Sequence, residues 1–403
     1  MNPSRPSLAV AVVALALVAV ASALAPTALP GDARAQGPAA RGANLLGNPG
    51  FDEGGLFNPS EWDTTVAGVP TVLFYWDGDV KRGGTRSASI INAGDALPVW
   101  HNWNQMLLHA GRLAGRDLEL TVWVRSSQMS GGRGYVMVQA YRDTVMNLAR
   151  DEGLTRDQAR IKMGYKFADD PQLELGWARK YFSADHDEWT PQKVRLYIPP
   201  TTNLVVVRLG IYGVGQVWFD DAQLAVLPPA TTPLPLARNL LANPGFERPL
   251  DDWEFSMPPA AAASITLDST TAHSGRFSAL FQAPNKPGFQ QYMNACQVFN
   301  ARNLSGRRVR MSGWCKLEDV IDSAYLSIYS TGLYGVDGSL AGEPLSGTRD
   351  WTFYSVEFDV PKDTYTVWAR AGYLAGPGRV WWDDLKFEVL GATPKPAARA
   401  KGR

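Results

Sequence analysis

Cysteine, histidine and net charge are what this sequence has least of. Its 403 residues include two cysteines and four histidines, and Lys plus Arg balance Asp plus Glu at 39 each. Zero net charge provides no basic field, so neither a nucleic acid nor an anionic membrane surface is expected as a partner. The cysteines, Cys296 and Cys315, are too few for a disulfide framework. One disulfide between them, or two buried free thiols, are both open on spacing alone. The histidines (His101, His109, His186, His273) form no HExxH pair, and no G-x-S-x-G elbow or phosphate-cradling glycine loop occurs. The one acid-histidine cluster, Asp185 to Glu188, reads as a solvated turn before a strand rather than a metal centre. Catalysis is therefore not expected, although paired carboxylates for glycoside cleavage would be invisible to sequence spacing.

Long hydrophobic runs are also nearly absent. A single one, Leu8 to Ala25, follows Arg5 and precedes an Ala-x-Ala site at Ala33 and Ala35. That order is a secretory signal peptide over 1–35, with a linker over 36–43, and no cysteine follows to take a lipid. The mature chain is expected to be secreted or displayed at the cell surface. An uncleaved N-terminal anchor is the alternative, since the run is near the minimum for crossing a bilayer.

What the sequence does have is a phrase written twice. "NLLGNPGFDEG" starts at Asn44 and "NLLANPGFERP" at Asn239. Each copy ends alike, in "VWFDDAQLAVL" near Leu227 and "VWWDDLKFEVL" near Leu390. Landmarks between them keep their order: Trp62 and Trp253, "GTRSASI" and "SGRFSAL", "EWTPQKVRLYIPP" and "DWTFYSVEFDVPK". This predicts two modules, 44–227 and 239–390, joined by the Pro/Thr-rich stretch 228–238 and followed by a disordered Ala/Pro/basic tail, 391–403.

Within each module the hydrophobic period is two. In "LELTVWVR", Leu118, Leu120, Val122 and Val124 alternate with Glu119, Thr121, Trp123 and Arg125. Short strands of this style between Gly, Pro and Asp turns predict an all-β fold: two tandem antiparallel β-sandwiches of jelly-roll type. One segment departs from it. An insertion over about 143–180 contains "TRDQARIKMG", with Thr155 as N-cap, Gln158 as its capping-box partner and Gly164 as a stop.

The shared frame, from N-L-L-x-N-P-G-F-[DE] through S-A and V-W-[FW]-D-D, resembles the CenC-like carbohydrate-binding modules, a galactose-binding-domain-like group. The resemblance implies non-catalytic sugar-binding sandwiches, with one structural calcium ion per module. In a jelly roll the first and last strands lie close, which brings Asp52 and Glu53 toward Asp220 and Asp221, and Glu247 toward Asp383 and Asp384. Clustered carboxylates are the hard-oxygen environment calcium prefers. Adjacent aspartates in a strand point to opposite faces, so one of each pair is expected to ligate.

A sugar needs aromatic platforms rimmed by polar groups. Alternation supplies candidates in the first module: Trp123 with Arg125; Tyr135, Gln139 and Tyr141; and Arg208 with Tyr212. The second offers Trp314, Tyr325, Tyr329, and Trp368 with Arg370. The loop-like segments "FYWDGD" and "VWHNWNQ" add Trp76, Trp100 and Trp103. The expected function is an exported, monomeric protein that binds polysaccharide or another glycan. Alternatives are an adhesive protein using the same fold for protein contacts, or a jelly-roll lyase or hydrolase.

Overall fold

The computed structural model describes residues 42–65, 71–94, 100–165, 172–228, 236–256, 263–283, 292–332, 335–374 and 377–393. The expected signal segment, most of the connector and nearly all of the tail lie outside them. Strand β-structure dominates, as the period-two patterning predicts.

The first half contains β1 (Asp63–Thr65), β2 (Val72–Asp77), β3 (Ser87–Asn92), β4 (Trp100–Leu108) and β5 (Asp117–Ser127). It continues with β6 (Arg133–Arg142), β7 (Leu173–Phe182), β8 (His186–Tyr197), β9 (Leu204–Tyr212) and β10 (Gly215–Leu227). These form two five-stranded sheets, A in the order β1-β4-β9-β6-β7 and B in the order β2-β3-β10-β5-β8. Every pairing is antiparallel. The apolar positions of β5 (Leu118, Leu120, Val122, Val124) are fully buried against Val136, Val138, Val205, Val207, Leu209 and Ile211 of sheet A. Phe51, from the opening phrase, is likewise buried, its ring centroid 4.8 Å from that of Trp62. The repeated Phe and Trp are thus core plugs at one end of the sandwich.

The second half contains β11 (Glu254–Ser256), β12 (Ser264–Asp268), β13 (Ser278–Ala283), β14 (Tyr292–Asn300) and β15 (Arg307–Gly332). Then come β16 (Gly335–Ala341), β17 (Leu345–Asp359), β18 (Thr364–Leu374) and β19 (Gly378–Ala392). Its long β15 does the work of β5 and β6 together. Residues 308–324 pair with β17 and 307–318 with β19, whereas 324–332 pair with β18 and 327–332 with β16. The strands thus form one nine-stranded sheet continuous through β15, whose two arms, β11-β14-β18-β15-β16 and β12-β13-β19-β15-β17, follow the orders of sheets A and B. β19 runs to Ala392, past the expected end at Leu390.

Two short helices interrupt the first half. They are α1 (Thr144–Asp151), capped by Asp143, and α2 (Arg156–Lys162), capped by Thr155. The predicted capping box is present: Gln158 N–H donates to Thr155 Oγ1 at 3.2 Å, and Thr155 N–H to Gln158 Oε1 at 2.8 Å. Gly164 follows in the left-handed region, φ 78°. The insertion is shorter than expected, because Leu173–Phe182 is a strand of sheet A. Helix α1 lays Met146 on Tyr141, Leu204 and Val206, covering one end of the outer face of sheet A. Among the described residues no helix is long and apolar enough to cross a membrane.

Candidate functional site: the faces between the two sandwiches

Strand alternation puts Tyr135, Met137, Gln139 and Tyr141 of β6 and Arg208 and Tyr212 of β9 on the outer face of sheet A, with Asn102 and Asn104 of β4. They form one network. Arg208 Nε donates to Gln139 Oε1 at 2.6 Å and its Nη1 to Asn102 Oδ1 at 3.2 Å, while Gln139 Nε2 donates to Glu174 Oε2 at 2.8 Å. Tyr135 lies across Gly210: a β-carbon there would stand 2.4 Å from the ring Cζ. Burial pushes the Tyr135 and Tyr141 phenols up to about 12, so both stay neutral donors. Five of the sequence-predicted residues are therefore brought together.

Trp100 adds an aromatic corner beside them. Its ring centroid is 5.2 Å from Tyr135, 4.5 Å from Tyr212 and 6.3 Å from Tyr181, with the Arg179 guanidinium 4.2 Å over it. Arg133 stands 3.6 Å over Tyr181. This corner is where the second half docks. Glu254 accepts from Arg179 Nε at 2.8 Å and from Tyr181 Oη at 2.9 Å, with a second prong from Arg179 Nη2. Lys180 pairs with Asp252, Ser183 N–H donates to Asp251 at 3.2 Å, and Arg133 Nη2 donates to the carbonyls of Leu250 and Trp253 at 2.9 Å. A cavity of about 520 Å³ remains between Trp100, Arg133, Tyr181 and Tyr212 on one side and Leu250 and Phe255 on the other.

A second cleft, of about 420 Å³, opens where β7 meets the outer face of β15 and β18. Trp177 and Trp368 pack edge to face on its wall, centroids 5.4 Å apart. Tyr329, Arg370, Thr331 and Thr366 line one side, and Glu174 the other. The Arg370 guanidinium lies 4.6 Å over the Tyr329 ring. Trp368 Nε1, Arg370 Nε and Ser327 Oγ are buried without a hydrogen-bond partner. Tyr325 lies nearby across Gly372, repeating the Tyr135–Gly210 arrangement. Sequence reading found Tyr325, Tyr329, Trp368 and Arg370 but missed Trp177, Arg179, Tyr181 and Glu174. Alternation of Trp177, Arg179 and Tyr181 in "LELGWARKYF" is the available signal, lying inside the expected insertion, whereas Glu174 is out of that phase and follows the register shift between Ala140 and Tyr141.

Other expected residues lie elsewhere. Trp123 and Arg125 are on the outer face of sheet B, on the far side of the sandwich from Tyr135, because β5 pairs with β8 and β10 rather than with β6. There the Arg82 guanidinium covers Trp123 at 3.7 Å. Trp314 is matched by His273, stacked on it at 4.0 Å and 15°. Trp103 is fully buried in the core and donates to Ser89 O at 3.2 Å. Trp76 donates to Phe51 O beneath Arg86. These last two are strand residues that close the sandwich, not loop platforms. Cys296 and Cys315 are free and buried, Cys315 in the core and Cys296 on the opposite side of its strand from Met293 and Ala295, where burial raises both thiols.

The acids of the repeated phrases do converge, but on donors. Asp52 Oδ1 accepts from the N–H of Thr85 and from Arg86 N–H at 3.3 Å; Asp220 Oδ2 accepts from Arg82 N–H at 2.7 Å and Gly83 N–H at 3.2 Å. Asp221 pairs with Arg82. The second half repeats this: Glu247 takes Arg276 N–H at 2.9 Å, Asp383 takes His273 N–H at 2.8 Å, and Asp384 takes the His273 ring at 2.7 Å. Glu53 meets Asn48 through its backbone. Asp221 and Asp384 adopt φ of 45° and 48°, which breaks strict alternation and turns both acids of each pair toward one loop. Among the described residues no group of three or more His, Cys, Asp or Glu is arranged to hold a metal ion. Backbone N–H groups thus hold one carboxylate oxygen or both of Asp52, Asp220, Glu247 and Asp383 at the closing loops.

No protein-family profile matches the chain. A curated relative, the uncharacterized HTH-type transcriptional regulator YbfP of Bacillus subtilis (strain 168), is 25% identical over 154 residues, 36% of this chain and 50% of the relative. The chain thus spans about half the length of that relative. Among solved structures, the tandem CBM22-1–CBM22-2 domain of Paenibacillus barcinonensis Xyn10C is 13% identical, covering 89% of this chain and all of that one, with a TM-score of 0.31. TmCBM61 in complex with β-1,4-galactotriose is 19% identical over 38% of this chain and 99% of that one, at a TM-score of 0.27. Overlap this low identifies no family.

Proposed function

We propose that this chain is an exported, non-catalytic glycan-binding protein built from two CenC-like modules. The observation that carries the reading is the cleft lined by Trp177 and Trp368. Two indole rings, a tyrosine and an unpaired arginine surround a space within the usual size of small-ligand sites, and buried donors beside it lack partners. Aromatic faces take the C–H side of a pyranose, and donors and acceptors around them take its hydroxyls. The ion pairs at the Trp100 corner hold the cleft's two walls in register, so the site belongs to both halves and is one site rather than two independent ones. Affinity electrophoresis of the full chain through a panel of soluble polysaccharides tests this. At least one polymer is expected to retard it, and Trp368→Ala, checked for an unchanged far-ultraviolet spectrum, is expected to run free. Failure of every polymer to retard the intact chain would favour the adhesive alternative.

A further inference from the structure

We infer that the cleft lined by Trp177, Trp368 and Arg370 selects an acidic sugar, a hexuronate unit whose carboxylate is received by Arg370. This rests on the glycan-binding reading above and narrows its ligand class.

Four residues form a row across adjacent strands of the second half: Glu254 opposite Cys296, Cys296 opposite Arg370, and Arg370 opposite Ser327. Strands lie about 4.8 Å apart, so Glu254 and Arg370 are separated by about 10 Å at their backbones. Glu254 is moreover committed to Arg179 and Tyr181. Among the described residues no carboxylate forms an ion pair with Arg370. The acid that does line the cleft, Glu174, turns an oxygen to Gln139 Nε2 at 2.8 Å.

The equivalent arginine of the first half shows the contrast. Arg208 is spent on Gln139 and Asn102, whereas Arg370, in the corresponding place on β18, meets no such acceptor. Trp368 Nε1 is a donor only, and Ser327 Oγ is also unmatched. Arg370 is therefore the cation of the cleft wall, and the one acid beside it among the described residues, Glu174, is turned to Gln139. A sugar hydroxyl accepts but also carries a donor and no charge, whereas a carboxylate only accepts, and its two oxygens match the guanidinium fork. Trp177, Trp368 and Tyr329 supply apolar faces for the ring that bears it.

The test is affinity electrophoresis of the full chain in polygalacturonate and in alginate, each beside its carboxyl-reduced, neutral counterpart, with dextran sulfate as a polyanion control. At least one uronate polymer is expected to retard the chain about tenfold more strongly than its reduced form, the size of one charge-assisted hydrogen-bond pair. Arg370→Gln is expected to abolish that difference and Arg370→Lys to keep part of it. Arg308→Gln, at an exposed pair remote from the cleft, should leave it unchanged. Thermal melts of each variant separate lost binding from lost folding. Equal retardation by a uronate polymer and its reduced form would overturn the acidic preference while leaving glycan binding standing, as would retention by neutral polymers only. Retardation by dextran sulfate that survives Arg370→Gln would show general charge adsorption and overturn it too. No retardation by any polymer, acidic or neutral, would overturn both readings.

Discussion

Arg179 of the first sandwich grips Glu254 of the second with both ends of its guanidinium, and the two side chains are only 11% and 14% exposed. Tyr181 donates to the same carboxylate, and burial followed by the Glu254 charge holds its phenol protonated. The contact is what makes the inter-sandwich clefts structural features rather than gaps.

Removing one member should be costly. Glu254→Ala leaves Arg179 buried without its counter-charge, and a loss of about 3 kcal/mol is expected in urea unfolding. Replacing both, Arg179→Met with Glu254→Leu, should recover most of it, because the desolvation cost disappears with the charges. If the single and double variants lose equally, the pair is not the clamp described.

The tyrosines that floor each outer face depend on a missing side chain. A β-carbon at Gly372 would stand 2.2 Å from Tyr325 Cζ, and one at Gly210 2.4 Å from Tyr135 Cζ. Gly372→Ala should therefore cost about 1–3 kcal/mol by forcing the ring away. Combined with Tyr325→Ala it should cost less than the sum of the two. Strict additivity in thermal melts would mean the two groups do not press on each other.

Much of this arrangement was legible in the sequence, and what was hidden has a physical reason. Alternation fixed which side of β5, β6, β9 and β18 faces the core, so Tyr135, Gln139, Arg208, Trp368 and Arg370 could be placed on a polar-aromatic face. It could not say which sheet each strand joins, since pairing is a long-range choice, and Trp123 lies on sheet B, away from the face that carries Tyr135. Helix signals around Thr155 masked β7, and with it Trp177, Arg179 and Tyr181. The left-handed turns at Asp221 and Asp384 defeated the alternation rule itself.

The buried aspartates give a pH signature. Burial raises Asp220 and Asp383 to about 6, against three backbone N–H bonds that lower them, with the neighbouring aspartate raising them further. A folded-state value above the unfolded value of about 3.9 means stability is fully present below about pH 4 and is lost as pH rises through about 6. Measured against Asp220→Asn, the native chain should lose an advantage of about 1–3 kcal/mol between pH 4 and pH 7. An advantage that grows with pH would show the carboxylate to be favoured by the fold.

Calcium provides a separate check. With Asp52, Asp220, Glu247 and Asp383 already accepting backbone N–H groups, a chelator should leave the melting temperature where excess calcium does. A melting temperature that falls in chelator would place an ion at the closing acids.

Glycan binding at the cleft shared by the two sandwiches is most directly tested by titrating the native chain and Trp368→Ala with the polysaccharide that retards the native chain. Calorimetry of the native chain should give saturable binding, weakened about tenfold or more when the indole is removed. Binding that is unaffected by Trp368→Ala, in a variant that melts like the native chain, would place the ligand elsewhere and contradict the account.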